Sequence, residues 1–131
     1  MTMKKVYRIT EKTVSDLNYN FIFCPRNRRR IFTVPGVKER FTELVYKECE
    51  RRKFKVSNLE IGDDYVLLSA DCLPDVSPAD VMKYLKKATH PILEEFPEFG
   101  HIPNLWTRNF FVSTSKIDIT AREEYISMQR K

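Results

Sequence analysis

The feature that most constrains the fold is the alternation of strand-like and helix-like segments along the chain. Between residues 17 and 23 an apolar side chain recurs at every second position, which is typical of a half-buried strand. Residues 34–53 carry apolar side chains three and four positions apart, which predicts an amphipathic helix. Two further strand-like segments follow, 54–61 and 65–72, joined by the turn Gly62-Asp63-Asp64.

The second half of the chain continues with a helix, a strand and a final helix. Residues 77–80 read Ser-Pro-Ala-Asp, which combines a helix N-cap, a proline suited to the first helical position and an acid at the positive helix end. A fourth strand is predicted within residues 105–114. A final helix is predicted over 120–129, where Thr120 and Glu123 have the spacing of a capping box.

The resulting order, β-α-β-β-α-β-α, predicts an α+β fold. We expect a ferredoxin-like antiparallel sheet covered on one face by two helices, plus a C-terminal helix. With 131 residues the chain has the size of one domain. We divide it into a polar, mobile leader over residues 1–16 and a single domain over 17–131.

Composition restricts the partners and the compartment. The net charge of +5 favours polyanionic partners, because every neutralised phosphate releases a counterion. No apolar run approaches the roughly 20 residues that span a membrane, and residues 1–12 lack a signal-peptide core. We therefore expect no membrane partner. The three cysteines are far apart and odd in number, which predicts reduced thiols in a cytoplasmic protein. They are Cys24, Cys49 and Cys72.

Basic side chains are concentrated in the first turn. Four arginines lie there within five residues: Arg26, Arg28, Arg29 and Arg30. Such a cluster beside a strand end favours phosphate contact, because guanidinium groups match phosphate geometry. The other candidate DNA contacts are Lys83, Lys86 and Lys87 on the second helix and Arg108. The lysines are equally consistent with a solvated helix face, and the neighbouring Trp106 with either base stacking or a place in the core.

Several stretches, in their order and spacing, resemble the single-tyrosine transposases of the HUH nuclease superfamily, which small insertion sequences encode. The resemblance covers nearly the whole chain after the leader. The stretches that carry it are residues 25–32, 59–64, 72–80, 83–87, 93–98 and 105–112, followed by Tyr125 and Gln129.

The resemblance implies a catalytic arrangement. In this family two histidines flanking one hydrophobic residue lie on the same face of a strand and hold a divalent ion that polarises the scissile phosphate. A tyrosine on the last helix, here Tyr125, attacks and becomes covalently linked to DNA. A glutamine one helical turn later, here Gln129, completes the metal site. The resemblance also implies a homodimer, in which Tyr125 faces the strand of the other subunit.

The chain departs from the family at the metal site. The His-hydrophobic-His positions are occupied by Tyr65, Val66 and Leu67. Leucine cannot ligate a cation and a neutral phenol is a poor ligand, so we expect no cofactor, although an active enzyme would need Mg²⁺ or Mn²⁺. The nearby acids that could replace the histidines are Asp63, Asp64 and Asp71. A charged turn and a strand end explain these acids without a metal, and we favour that interpretation. The two histidines, His90 and His101, lie outside the motif.

Three functional hypotheses follow. The first is a transposase-family protein that binds single-stranded or hairpin DNA and has lost strand cleavage. The second is an active metal-dependent transposase that cleaves and rejoins single-stranded DNA through a 5′-phosphotyrosine link on Tyr125. The third is a ferredoxin-like interaction module without a nucleic-acid role, against which the arginine cluster argues.

Overall fold

The computed structural model describes residues 7–129. A small hairpin precedes a four-stranded sheet and its helices, and short 3₁₀ turns follow the first long strand. The strands are β1 (Arg8–Ile9), β2 (Val14–Ser15), β3 (Asn18–Phe23), β4 (Lys55–Ile61), β5 (Val66–Asp71) and β6 (Phe111–Ser113). The helices are α1 (Val37–Arg52), α2 (Pro78–Thr89), α3 (Ile92–Glu95) and α4 (Ile119–Ser127).

The main sheet has the order β4-β5-β3-β6, and all its pairings are antiparallel. Phe21 of β3 lies opposite Leu68 of β5 on one side and opposite Val112 of β6 on the other. With α1 between β3 and β4 and α2 between β5 and β6, this is the predicted ferredoxin-like arrangement. The α+β fold with a C-terminal helix is therefore confirmed.

The core lies between the sheet and the two long helices. Phe21, Phe23 and Leu68 are buried on the sheet, and Phe41 of α1 and Leu85 of α2 are buried in the same cluster. The strand β3 differs from the predicted half-buried strand, because its opposite face is also buried. That face is covered by the C-terminal part of the chain, which sequence periodicity does not reveal.

Helix ends follow local chemistry, with one correction. The Ser77 side chain accepts a hydrogen bond from the Asp80 N–H, as the sequence predicts. At α4 the predicted capping box at Thr120 and Glu123 is wrong. The N-cap is Asp118, whose Oδ1 accepts a hydrogen bond from the Ala121 N–H at 2.8 Å, and the helix therefore begins one residue earlier.

The predicted leader is partly structured. Residues 1–6 lie outside the described part of the chain, whereas β1 and β2 form an antiparallel hairpin over residues 8–15. The hairpin is joined to the sheet by Arg8, whose Nε donates to Asp71 Oδ2 at 2.8 Å. Residues 8–15 of the predicted leader therefore lie in regular secondary structure, and Arg8 joins them to the sheet through a residue 63 positions away. In residues 7–129 no helix is long and apolar enough to cross a membrane.

Candidate nucleic-acid interface and altered metal centre

The predicted nucleophile, Tyr125, lies on α4 with its hydroxyl group engaged. The phenol donates a hydrogen bond to Asn109 Oδ1 at 2.6 Å, and the ring packs against Phe111 of β6 at a centroid distance of 5.9 Å. Burial raises the pKa of Tyr125 above its usual value near 10. At neutral pH the side chain is therefore a neutral phenol, which is a weak nucleophile.

The two positions that the resemblance aligns with the family's histidines, Tyr65 and Leu67, lie at the start of β5. Tyr65 donates its hydroxyl to Glu60 Oε2 at 3.3 Å, and burial raises the pKa of Tyr65, so its oxygen is not an anionic ligand. Its ring lies against Gly62, where an added Cβ would come within 2.0 Å of a ring carbon. Leu67 lies between Ile22 of β3 and Glu60 of β4 and offers no lone pair.

The third predicted ligand, Gln129, is also engaged. Its Nε2 donates to the Tyr125 carbonyl oxygen at 3.0 Å, and the side chain is buried. Gln129 lines a cleft beside Arg26 and Arg108. Its amide therefore stabilises the end of α4 and faces the basic turn.

The acids considered as replacement ligands are held in ion pairs. Asp63 pairs with Arg30, Asp64 pairs with Arg28, and Asp71 pairs with Arg8. Among residues 7–129 no group of three histidine, cysteine, aspartate or glutamate side chains is arranged to hold a metal ion. The residues at this site do not fit the divalent ion that the resemblance implies.

A bulge in the strand that leads into β6 builds the neighbouring cleft. Phe111 pairs with Ile22, and Trp106 pairs with Pro25. Between these two pairs there are five residue steps on the Trp106–Phe111 segment but only three on the Ile22–Pro25 segment. The two extra residues push Arg108 and Asn109 outwards, as bulges beside functional sites do. The position of Asn109 beside Tyr125 therefore depends on the register of the whole sheet.

Lys86 of α2 stabilises this bulge. Its Nζ donates to the carbonyl oxygens of Thr107 at 2.8 Å and Asn109 at 3.2 Å, which satisfies acceptors that the disrupted ladder leaves open. Burial lowers the pKa of Lys86 to about 8. Sequence analysis predicted Lys86 as a DNA contact; in the structure its ammonium group is directed to backbone carbonyls.

The basic turn is fixed against the same bulge. The Arg26 N–H donates to the Leu105 carbonyl at 2.8 Å, and the Thr107 N–H donates to the Cys24 carbonyl at 3.1 Å. Within the turn Asn27 and Arg28 have φ values of 60° and 51°, a left-handed conformation that is uncommon for residues other than glycine. The turn and the bulge together line the cleft, with Arg26, Asn27, Thr107, Arg108, Asn109, Met128 and Gln129.

The predicted arginines fall into two groups. Arg28 and Arg30 are paired with Asp64 and Asp63. In residues 7–129 the three other predicted arginines have no carboxylate within ion-pair distance; these are Arg26, Arg29 and Arg108. The uncompensated guanidinium charge of the cleft therefore comes from Arg26 and Arg108.

The remaining candidates lie apart from the cleft or inside the core. Lys83 and Lys87 are exposed on α2, and His90 is exposed just beyond that helix. Trp106 belongs to the core, since its ring packs on Phe23 at a centroid distance of 4.9 Å and its Nε1 donates to Thr89 Oγ1 at 2.9 Å. Sequence reasoning missed Asn109, because no local pattern marks the bulge that places it.

The ferredoxin-like sheet with a tyrosine on a C-terminal helix over one face defines the class: a single-tyrosine transposase fold. Residues 13–129 match the model of the family described as Transposase IS200 like. The chain therefore belongs to the IS200-like transposase family. A comparison with curated proteins finds no significant match.

Two solved structures share the fold. A presumed transposase from Deinococcus radiodurans R1 is 24% identical, with a TM-score of 0.78, and the match covers 98% of each chain. A REP-associated tyrosine transposase bound to a REP hairpin is 14% identical, with a TM-score of 0.58; the match covers 95% of this chain and 68% of that one.

Proposed function

We propose that this protein binds single-stranded or hairpin DNA as a member of the IS200-like transposase family and no longer cleaves it. The observation that carries the proposal is the cleft lined by both Arg26 and Arg108, neither of which has a carboxylate within ion-pair distance among residues 7–129. The REP-associated tyrosine transposase that shares this fold binds a REP hairpin, which supports a hairpin ligand here. Two free guanidinium groups suit a phosphate backbone, which they bind by charge-assisted, bidentate hydrogen bonds.

The surroundings of the cleft favour a phosphate over a small organic ligand. Its other polar lining groups include amides and a hydroxyl, contributed by Asn27, Asn109 and Thr107. Such groups commonly contact phosphate and sugar oxygens and carry little sequence information. Arg29 adds a further unpaired charge in the same turn, whereas Arg28 and Arg30 are partly neutralised by their aspartates. Lys83 and Lys87 are exposed on α2, apart from the cleft, and add to the positive charge of the protein surface.

The loss of cleavage follows from the side chains at the predicted metal-ligand positions. Tyr65 is a hydrogen-bonded neutral phenol, Leu67 has no donor atom, and the Gln129 amide donates to its own helix. Without a metal to withdraw charge from the scissile phosphate, several kcal/mol of barrier remain, roughly a thousandfold in rate for each 4 kcal/mol. The Tyr125 phenol does not compensate, because burial raises its pKa.

The alternative hypothesis is an active transposase. It is favoured by one observation, the position of Tyr125 with its hydroxyl held by Asn109 beside the basic cleft. Mg²⁺ or Mn²⁺ would then have to bind through groups that are now engaged in ion pairs or hydrogen bonds. Only the active enzyme would form a covalent adduct with DNA, so detection of this adduct distinguishes the two hypotheses.

The test measures DNA affinity against salt concentration by fluorescence anisotropy, with hairpin, single-stranded and duplex oligonucleotides. We expect Arg26→Ala with Arg108→Ala to flatten the log-log salt slope by roughly 0.7 to 0.9 for each phosphate that is no longer neutralised. The control, Lys47→Ala with Arg51→Ala, removes the same charge from α1. If both double variants behave like the natural protein, the cleft does not bind the DNA; if none of the proteins shows salt-dependent binding, the interaction-module hypothesis is favoured.

A further inference from the structure

We propose that Arg122 has taken the place of the metal ion, so that a side chain of α4 supplies the positive charge at the altered site. Its guanidinium carbon lies 5.4 Å from the centroid of the Tyr65 ring, at a former ligand position. Arg122 Nη1 is also 2.7 Å from Glu60 Oε2, the atom that accepts the Tyr65 hydroxyl. One carboxylate, one phenol and one guanidinium therefore form a closed cluster.

Because Arg122 lies on α4, the cluster helps to hold this helix in place. Arg122 and Tyr125 are three residues apart, so they lie on the same face of the helix, towards the sheet. Arg122 contacts the β4–β5 end of the sheet, and Tyr125 contacts β6 through Phe111. A nine-residue helix with no fully buried side chain is not stable alone, so these contacts hold it in place.

The same cluster explains why a divalent ion is excluded. The side chain of Arg122 is only 22% exposed, so its charge is poorly screened, and it already neutralises Glu60. A divalent cation beside Tyr65 would be repelled by the guanidinium, and the carboxylate of the cluster, Glu60, is already paired. Replacing the two lost histidines therefore restores only part of a metal site, because the resident cation remains.

The first experiment is a calorimetric titration with Mn²⁺. The first protein is the double variant Tyr65→His/Leu67→His. The second adds Arg122→Gln to this double variant. The third, a charge-matched control, instead adds Arg51→Gln on α1. The triple variant with Arg122→Gln should bind Mn²⁺ at least about tenfold more tightly than the double variant, and the control should not. A triple variant that binds no more tightly than the double variant overturns the proposal.

A second measurement does not depend on the folding of the histidine variants. Arg122→Gln alone should accelerate amide hydrogen exchange of residues 119–129 by about tenfold or more, whereas Arg51→Gln should leave it unchanged. Unchanged protection of α4 in Arg122→Gln overturns the proposal. Neither measurement involves DNA, so a failure here is distinct from a failure of the proposed DNA binding.

Discussion

The substitution Asp71→Asn tests whether this acid is structural rather than a replacement metal ligand. Asp71 Oδ2 accepts from Arg8 Nε at 2.8 Å, and Oδ1 accepts from the Leu17 N–H at 3.1 Å. Asparagine retains an oxygen that can accept from Leu17, so the substitution removes mainly the charge. The Arg8 side chain, which is 7% exposed, would then keep a buried positive charge without its counter-ion.

The magnitude follows from this burial. Breaking a fully buried pair costs about 3–5 kcal/mol, and the 21% exposure of Asp71 reduces that figure. We expect a decrease of roughly 2–3 kcal/mol in the free energy of unfolding. With an unfolding entropy of about 2.1 cal/mol/K per residue, this lowers Tm by about 7–11 °C for a chain of this length.

The matched control is Asp63→Asn. Asp63 also pairs with an arginine, but the side chains of Asp63 and Arg30 are 55% and 69% exposed, so the decrease should stay below about 1 kcal/mol. Urea denaturation followed by circular dichroism measures both variants. Equal stability of Asp71→Asn and Asp63→Asn would refute the reasoning, and so would an Asp71→Asn protein as stable as the natural one.

Three further predictions concern assembly, chemistry and thiols. Sedimentation at micromolar concentration should show a homodimer of about twice 15.6 kDa. The outer edge of the seven-residue strand β4 is unpaired within the described chain, and the family resemblance implies a dimer. A monomer alone would contradict this prediction. Incubation with hairpin DNA and Mg²⁺ or Mn²⁺ should give no covalent adduct on denaturing gels, and a metal-dependent adduct that Tyr125→Phe abolishes would establish the active alternative. Native protein at pH 8 should react with a thiol reagent far more slowly than urea-unfolded protein. The reason is that burial raises the pKa of Cys24 and Cys72 to about 12 and the pKa of Cys49 to about 11. Rapid reaction of any thiol in the native protein would contradict these buried positions.

Local sequence determined the elements and much of their order. The strand within residues 17–23, the helical spacing in α1 and the Ser77 cap depend on neighbours a few positions away, and all three elements appear in the structure. From the family resemblance, the sequence also predicts that Tyr65 and Leu67 occupy the positions of the two motif histidines.

The tertiary structure alone decided which side chains meet. Arg8 reaches Asp71 across 63 positions, Arg122 reaches Glu60 across 62, and Asn109 reaches Tyr125 only because a bulge shifts the register before β6. Such contacts depend on how the whole sheet pairs and on where α4 packs. Periodicity reports which face of an element is apolar, but it carries no information about the partner that this face meets.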